Sequence, residues 1–321
     1  MISYAQNGED VVLARLFAGR TTGRYVDVGA SDPVKDSVTK HFYDLGWRGI
    51  NIEPIPAVAA ALRAARPQDV TLQIALGAQA GDIELHLVTD KEGWSTTDDT
   101  LAESYRGELR IQDVPVRMRT LADVLTEYPG PVDFLKIDVE GAEEAVLRGA
   151  DWTVHRPRVV VVEATKPGSP TPVHQSWDPL LVEAGYRCVL FDGLNRFYAQ
   201  ESDTEAREVL AAPANIFDDY ETVDVAQRRA AFTEYRMKRA AEVGYVLQLE
   251  DTLREAQEGR IKDAEYVRQL QDALRDAGLD GNRTARYAAA LEARIAELEK
   301  ANALAQETIA QLKQRPANPS D

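Results

Sequence analysis

The sequence holds one cysteine, Cys188, and only four histidines in 321 residues. One thiol cannot build a disulfide framework or a cysteine-based zinc cluster, and it fits a reducing compartment. Positive charge is in deficit: 37 Lys+Arg against 53 Asp+Glu leave a net charge of −16. That argues against gripping nucleic-acid phosphates or anionic lipid by bulk charge and leaves only a local basic patch for such binding. No apolar run approaches the ~20 residues a membrane-spanning helix needs. The opening MISYAQNGEDVV has neither the basic nor the long apolar region of a signal peptide. The expectation is a cytoplasmic protein with no transmembrane segment and no nucleic-acid partner. Its length suits two domains, or one domain with an extension.

Up to about residue 200, short apolar runs alternate with helical patterns. Strands are expected at Tyr25–Val28, Gly49–Glu53, Val70–Leu76, Val132–Ile137 and Arg158–Val162, with a half-exposed one at Asp82–Val88. Helices are expected at Lys35–Leu45, at Pro56–Arg66 with proline in the first turn, from Leu121, at Ala142–Arg148 and at Trp177–Ala184. Tyr186–Phe191 and Asn195–Tyr198 read as a hairpin across Asp192-Gly193. Alternating strands and helices predict an α/β fold, a mostly parallel sheet covered on both faces.

After about residue 200 glycine thins out, and Ala, Glu, Arg, Gln and Leu dominate. From Val246 to Ala277 the 3–4 spacing gives eight apolar residues in ten positions, and a second register runs from Ala288 to Leu312 past Gly278 and Gly281. That pattern predicts a coiled coil that makes the chain a homodimer, with Asn302 at an a position; an amphipathic helix folded on the head is the alternative. The boundaries expected are a head over 1–200, a helical connector over 201–242, a coiled coil over 243–315 and a disordered end over 316–321.

Three motifs carry chemistry. Tyr25-Val26-Asp27-Val28-Gly29-Ala30 ends a strand in an acid and a glycine turn, where open α/β sheets form their ligand crevice. Glu53 ends the next strand, 24 residues after Gly29, where a carboxylate accepts from both ribose hydroxyls. A dinucleotide also needs a glycine-rich turn to hold its pyrophosphate. Here the turn reads Gly29-Ala30-Ser31-Asp32-Pro33, without further glycines and with an acid that would repel phosphate. The combination favours S-adenosylmethionine over NAD. Third, Asp138 stands at the tip of Leu135-Lys136-Ile137-Asp138-Val139-Glu140-Gly141, with Lys136 two residues back on the same face. Glu140 and Glu143 enter the following helix, where carboxylates suit the positive end of the dipole.

The segments SYAQNGEDVVL, YVDVGASDP, FYDLGWRGINIEP, LKIDVEGAEEAVLRGA and GLNRFYA occur in that order. Together they resemble the FkbM family of S-adenosylmethionine-dependent methyltransferases over residues 1–200. The resemblance implies a class I methyltransferase fold, Rossmann-like, with seven strands of which the last is antiparallel. It implies methyl transfer to oxygen, commonly a sugar hydroxyl of a glycan, glycolipid or glycosylated metabolite. It implies cofactor contacts at Asp27, Gly29, Ala30, Glu53 with Pro54, and around Asp138. Gln6, Glu9 and Asp10 precede the first strand, where a lid over the cofactor is expected; capping of the helix that starts near Glu9 is the alternative. The coiled coil lies outside the resemblance. It is expected to dimerise the head or to dock it on a glycan-assembly partner.

A sugar hydroxyl is a weak nucleophile and calls for a base or a metal. The candidates are Asp138, His174 in a polar loop, and His41 after the first turn. Asp138 and Glu163 end neighbouring strands and offer a pair for Mg²⁺, but no Asp-Asp pair stands at the second strand tip, so a metal is not favoured. Trp94, Ser95 and Thr96 offer an aromatic face and hydroxyls to a sugar, and Glu163 also points to substrate. A non-catalytic scaffold with the same fold, or an NAD-dependent oxidoreductase, stays open as an alternative.

Overall fold

Apolar runs bounded by Gly, Pro and acidic residues become the strands of one seven-stranded sheet in this computed structural model. It describes residues 1–88, 99–240 and isolated helical positions between 258 and 311. The strands are β1 (Arg24–Val28), β2 (Arg48–Ile52), β3 (Val70–Leu72), β4 (Phe134–Ile137), β5 (Val159–Glu163), β6 (Tyr186–Phe191) and β7 (Asn195–Gln200). Their order is β3-β2-β1-β4-β5-β7-β6. β1 to β5 are parallel, and β7 runs antiparallel between β5 and β6. The order reverses direction at β1/β4, which puts the crevice over those two strand tips.

Each central strand feeds two cores, because alternate side chains face opposite sides. Val26, Val28, Leu135, Ile137, Val160 and Val162 pack on one face with Leu121, Val124 and Val146. Tyr25, Phe134, Val159 and Val161 pack on the other with Val12, Leu13, Phe42 and Trp47. Burying such side chains contributes roughly 1.5–3 kcal/mol each. The covering helices are α1 (Glu9–Leu16), α2 (Lys40–Leu45), α3 (Pro56–Ala65), α4 (Leu121–Glu127), α5 (Glu143–Arg148), α6 (Asp178–Glu183) and α7 (Thr204–Val209).

Three expectations are corrected. The helix expected from Lys35 begins at Lys40. Residues 29–39 instead form an irregular loop, with Ser31 (φ 50°) and Asp36 (φ 55°) left-handed. The strand expected over Val70–Leu76 divides: Val70–Leu72 stays in the main sheet, and Ala75–Leu76 joins a three-stranded side sheet. There Gly81–Val88 pairs antiparallel with Ile111–Arg119, a strand absent from the sequence expectation.

The chain divides into two units, Met1–Ala226 and Gln227–Asp321. The first therefore takes in part of the expected connector: α7 joins the second core through Ala206 and Leu210, and Glu221–Thr222 pairs in parallel with Ile2–Ser3. In the second unit residues 227–240 are helical and exposed. The coiled-coil pattern from Val246 lies outside the described residues apart from isolated helical positions, and so does the Trp94-Ser95-Thr96 segment. Among the described residues no helix is long and apolar enough to cross a membrane.

Candidate active site at the strand tips

A cleft of about 640 Å³ opens over the carboxyl ends of β1, β2, β4 and β5. Its walls include Gln6, Gly29, Ala30, Glu53, Pro54, Asp138 and Glu163, so seven sequence candidates meet in one place. Asp27 lies just beneath, 1% exposed. His41 and His174 are not among the lining residues. His41 sits on α2, where burial and the N-terminal ammonium lower its pKa. His174 sits in a short 3-10 turn beside Trp177, and burial and Arg196 lower its pKa.

The floor is a buried ionic relay. In the β1–β4 register Asp27 faces Lys136. The Lys136 ammonium donates to the Gly29 carbonyl at 2.7 Å and pairs with Asp27 Oδ1 at 3.4 Å and Asp138 Oδ2 at 3.3 Å. Burial would strip its proton, but the Asp138 and Asp27 carboxylates outweigh that and raise its pKa above the ordinary lysine value. Asp27 Oδ2 also accepts from the Thr39 hydroxyl at 2.6 Å, which accepts in turn from Arg66 Nη1 at 2.7 Å. Arg66 is fully buried and donates further to Ser37 Oγ and the Pro33 carbonyl. It thereby pins the 29–39 loop under the cleft.

Gly29 (φ 75°) is required by space as well as by conformation. A Cβ there would lie 1.8 Å from the Asp138 carbonyl oxygen. The tips of β1 and β4 touch because this residue has no side chain.

Glu53 accepts from the Ser31 N–H at 3.0 Å and the Ile55 N–H at 2.8 Å, which fixes its carboxylate at the tip of β2. Burial raises its pKa, and those N–H groups oppose the rise. Its four lone-pair sites leave room for two hydroxyl donors besides.

Beyond Lys136 three acids converge. Asp138, Glu140 and Glu163 each bring a carboxylate oxygen within 4.8 Å of the others. Glu163 Oε2 is buried without a hydrogen-bond partner. Burial, then Asp138 and Glu140, pushes Glu163 up to about 10; burial, Asp138 and Glu143 push Glu140 up to about 8. Glu140 and Glu163 therefore keep their protons at neutral pH. Glu140 does not enter the helix as the sequence reading had it: it precedes α5 in a left-handed turn (φ 54°) and lines the cleft. Glu143 does cap, accepting from the Val139 and Gly141 N–H groups at 3.1 Å each. Sequence reasoning flagged Lys136 but gave it no part in the site, and it missed Arg66 and Thr39. The register of β1 on β4 would have found Lys136; nothing local marks the other two.

The family model described as the methyltransferase FkbM domain matches residues 27–188. Among solved structures, a TehB-like SAM-dependent methyltransferase from Corynebacterium glutamicum is similar at 8% identity and a TM-score of 0.34, over 60% of this chain and 87% of that one. The fibrillarin pre-rRNA processing protein of Methanococcus jannaschii is similar at 12% identity and a TM-score of 0.33, over 61% of this chain and 76% of that one. No curated protein matches significantly. The family match, not these distant likenesses, is the premise for function.

Proposed function

The chain belongs to the FkbM methyltransferase family, and from that premise we propose that it moves a methyl group from S-adenosylmethionine to a sugar hydroxyl of a glycan, glycolipid or glycosylated metabolite. The observation that carries the cofactor half is the pairing of a glycine cradle at the β1 tip with the fixed Glu53 carboxylate at the β2 tip. Cleft acids around them, Asp32, Asp36 and Asp138 among these, disfavour a pyrophosphate and tolerate a sulfonium nucleoside. The residues present thus fit this donor. Glu53 would hold the ribose hydroxyls, Pro54 and Ala30 would flank the nucleoside, and the Gly29 turn over Asp27 and Lys136 would hold the amino-acid end.

S-adenosylmethionine, when bound, supplies an electrophilic methyl group on sulfur, so the acceptor's O–C bond forms as the C–S bond breaks and the hydroxyl proton must leave. Asp138 takes that proton on its carboxylate, half-exposed at the β4 tip. Lys136 holds Asp138 in place through the 3.3 Å ion pair. Glu163, carrying a proton, donates to a neighbouring acceptor oxygen and selects a polyol. A positioned base is worth about 10²–10⁴ in rate. Lys136 already supplies the local positive charge beside Asp138, so Mg²⁺ is not needed for this step.

A neutral polyol suits this acidic cleft better than a phosphorylated acceptor, which supports the sugar reading. The test is transfer of a radiolabelled methyl group to a panel of neutral, amino and phosphorylated sugars. Neutral-sugar labelling that Asp138→Asn cuts at least about a hundredfold is expected. Labelling of phosphorylated acceptors alone would overturn the polyol reading. The expected coiled coil, from about residue 243, is proposed to join two heads or to dock them on a glycan-assembly partner.

A further inference from the structure

Two sequence motifs have no part in the chemistry above: Gln6-Asn7-Gly8-Glu9-Asp10 before β1, and Asp192-Gly193-Leu194-Asn195 at the β6–β7 turn. They meet in space, 186 positions apart. Glu9 Oε1 accepts from Asn195 Nδ2 at 2.6 Å, and Glu9 Oε2 accepts from the Asn7 N–H at 2.8 Å. Asn7 Nδ2 in turn donates to the Asp192 carbonyl at 3.3 Å. Glu9 is 3% exposed and Asn195 5%. Gln6 lines one side of the cleft, and Gly193 and Leu194 line another. The Leu194 carbonyl accepts from the Ala164 N–H at 2.9 Å, next to Glu163.

We infer that Glu9 is a positioning residue: its buried carboxylate ties the strap bearing Gln6 to the hairpin tip bearing Gly193 and Leu194, and so fixes the cleft width that the methyl donor meets. The inference rests on the S-adenosylmethionine reading. A buried carboxylate is a costly way to make a purely structural link. It earns its place here because it receives one donor from each of two cleft walls that share no covalent connection nearby. Releasing it lets the strap and the tip separate, which weakens donor binding without touching the reacting atoms.

The test is calorimetric titration of S-adenosylmethionine into the full chain and into Glu9→Gln, Asn195→Ala and the charge-conserving double variant Glu9→Gln/Asn195→Asp. Glutamine at 9 loses the charge and one of its two acceptors, so the Asn195 amide must turn over to pair with it, whereas the double variant offers a carboxylate oxygen that accepts from the glutamine amide N–H without turning. The expected result is a Kd raised about tenfold in each single variant and largely recovered in the double, with kcat at saturating donor unchanged within about twofold (one tenfold step being 1.4 kcal/mol). Circular dichroism confirms that each variant is folded; a single variant that does not fold leaves the other and the double to decide. Wild-type binding with single variants within twofold of it overturns the clamp and leaves the cofactor reading standing. So does a double variant no tighter than Glu9→Gln. No wild-type binding overturns both.

Discussion

Replacing Lys136 by methionine keeps the length and apolar stem of the side chain and removes only its charge. The ammonium is buried among Asp27, Asp138 and the Gly29 carbonyl, at 3.4, 3.3 and 2.7 Å. Its loss leaves Asp27, 1% exposed, held by the Thr39 hydroxyl. Removing one member of a buried ion pair costs about 3–5 kcal/mol, because the other charge stays behind unpaired. Against a total of about 5–15 kcal/mol for a domain, that is about a fifth or more of the fold's stability. Urea unfolding followed by tryptophan fluorescence should show the midpoint falling by more than about 1 M at slopes of about 1–3 kcal/mol per M. Asp27→Asn should cost less, since Lys136 keeps Asp138. The double variant should be more stable than the two losses summed, by at least about 1 kcal/mol. A Lys136→Met loss below about 1 kcal/mol, or strict additivity, would refute the relay as the floor of the site.

Gly29→Ala should abolish donor binding while leaving most secondary structure intact, since its Cβ would meet the Asp138 carbonyl at 1.8 Å and the left-handed backbone adds about 1–2 kcal/mol of strain; an equilibrium-dialysis Kd near wild type would contradict the close contact. Glu163 and Glu140 are held up to about 10 and about 8 by burial and neighbouring acids, so they bind protons more tightly folded than unfolded. Their stabilisation is full below the ordinary glutamate range and is lost as pH rises through 8 to 10. The urea midpoint should therefore fall between pH 6 and pH 9, and Glu163→Gln should flatten that fall. Turnover should survive a chelator unchanged, since the transfer step is assigned to Asp138 and Lys136; a loss restored by Mg²⁺ would place a cation among Asp138, Glu140 and Glu163. Ile295→Asp with Leu298→Asp should shift the full chain from dimer to monomer in light scattering, if the second heptad register pairs two chains.

Much of this was legible because it is local. Val159–Val162 could only be a buried strand, and Asp192-Gly193 between two β-rich runs reads as a hairpin turn without further context. The strand-tip positions of Gly29, Glu53 and Asp138 followed from the same rule about open sheets. What stayed hidden depends on contacts far apart in sequence. Lys35 to Thr39 runs into the helix without a glycine or proline to mark a boundary, yet Arg66 draws that stretch into a loop through Ser37, Thr39 and the Pro33 carbonyl. Arg66 itself reads as a surface cation at a helix end. Ile111–Arg119 alternates as a strand should, but Pro115 argues against one; it is accommodated because Pro115 pairs with Glu84 on one side while Ala75–Leu76, on the other, reaches only Met118 and Arg119. The histidines drew attention by being few and suited to base chemistry, and the structure brings neither His41 nor His174 to the cleft lining.

The central claim is that this cleft holds S-adenosylmethionine through Glu53. Isothermal titration of S-adenosylmethionine into wild type and Glu53→Ala tests it directly, with NAD as the control. Saturable wild-type binding, weakened by about 1–3 kcal/mol in the variant, is expected for a lost charged hydrogen bond. An absence of wild-type binding, or equal affinity in Glu53→Ala, would contradict it.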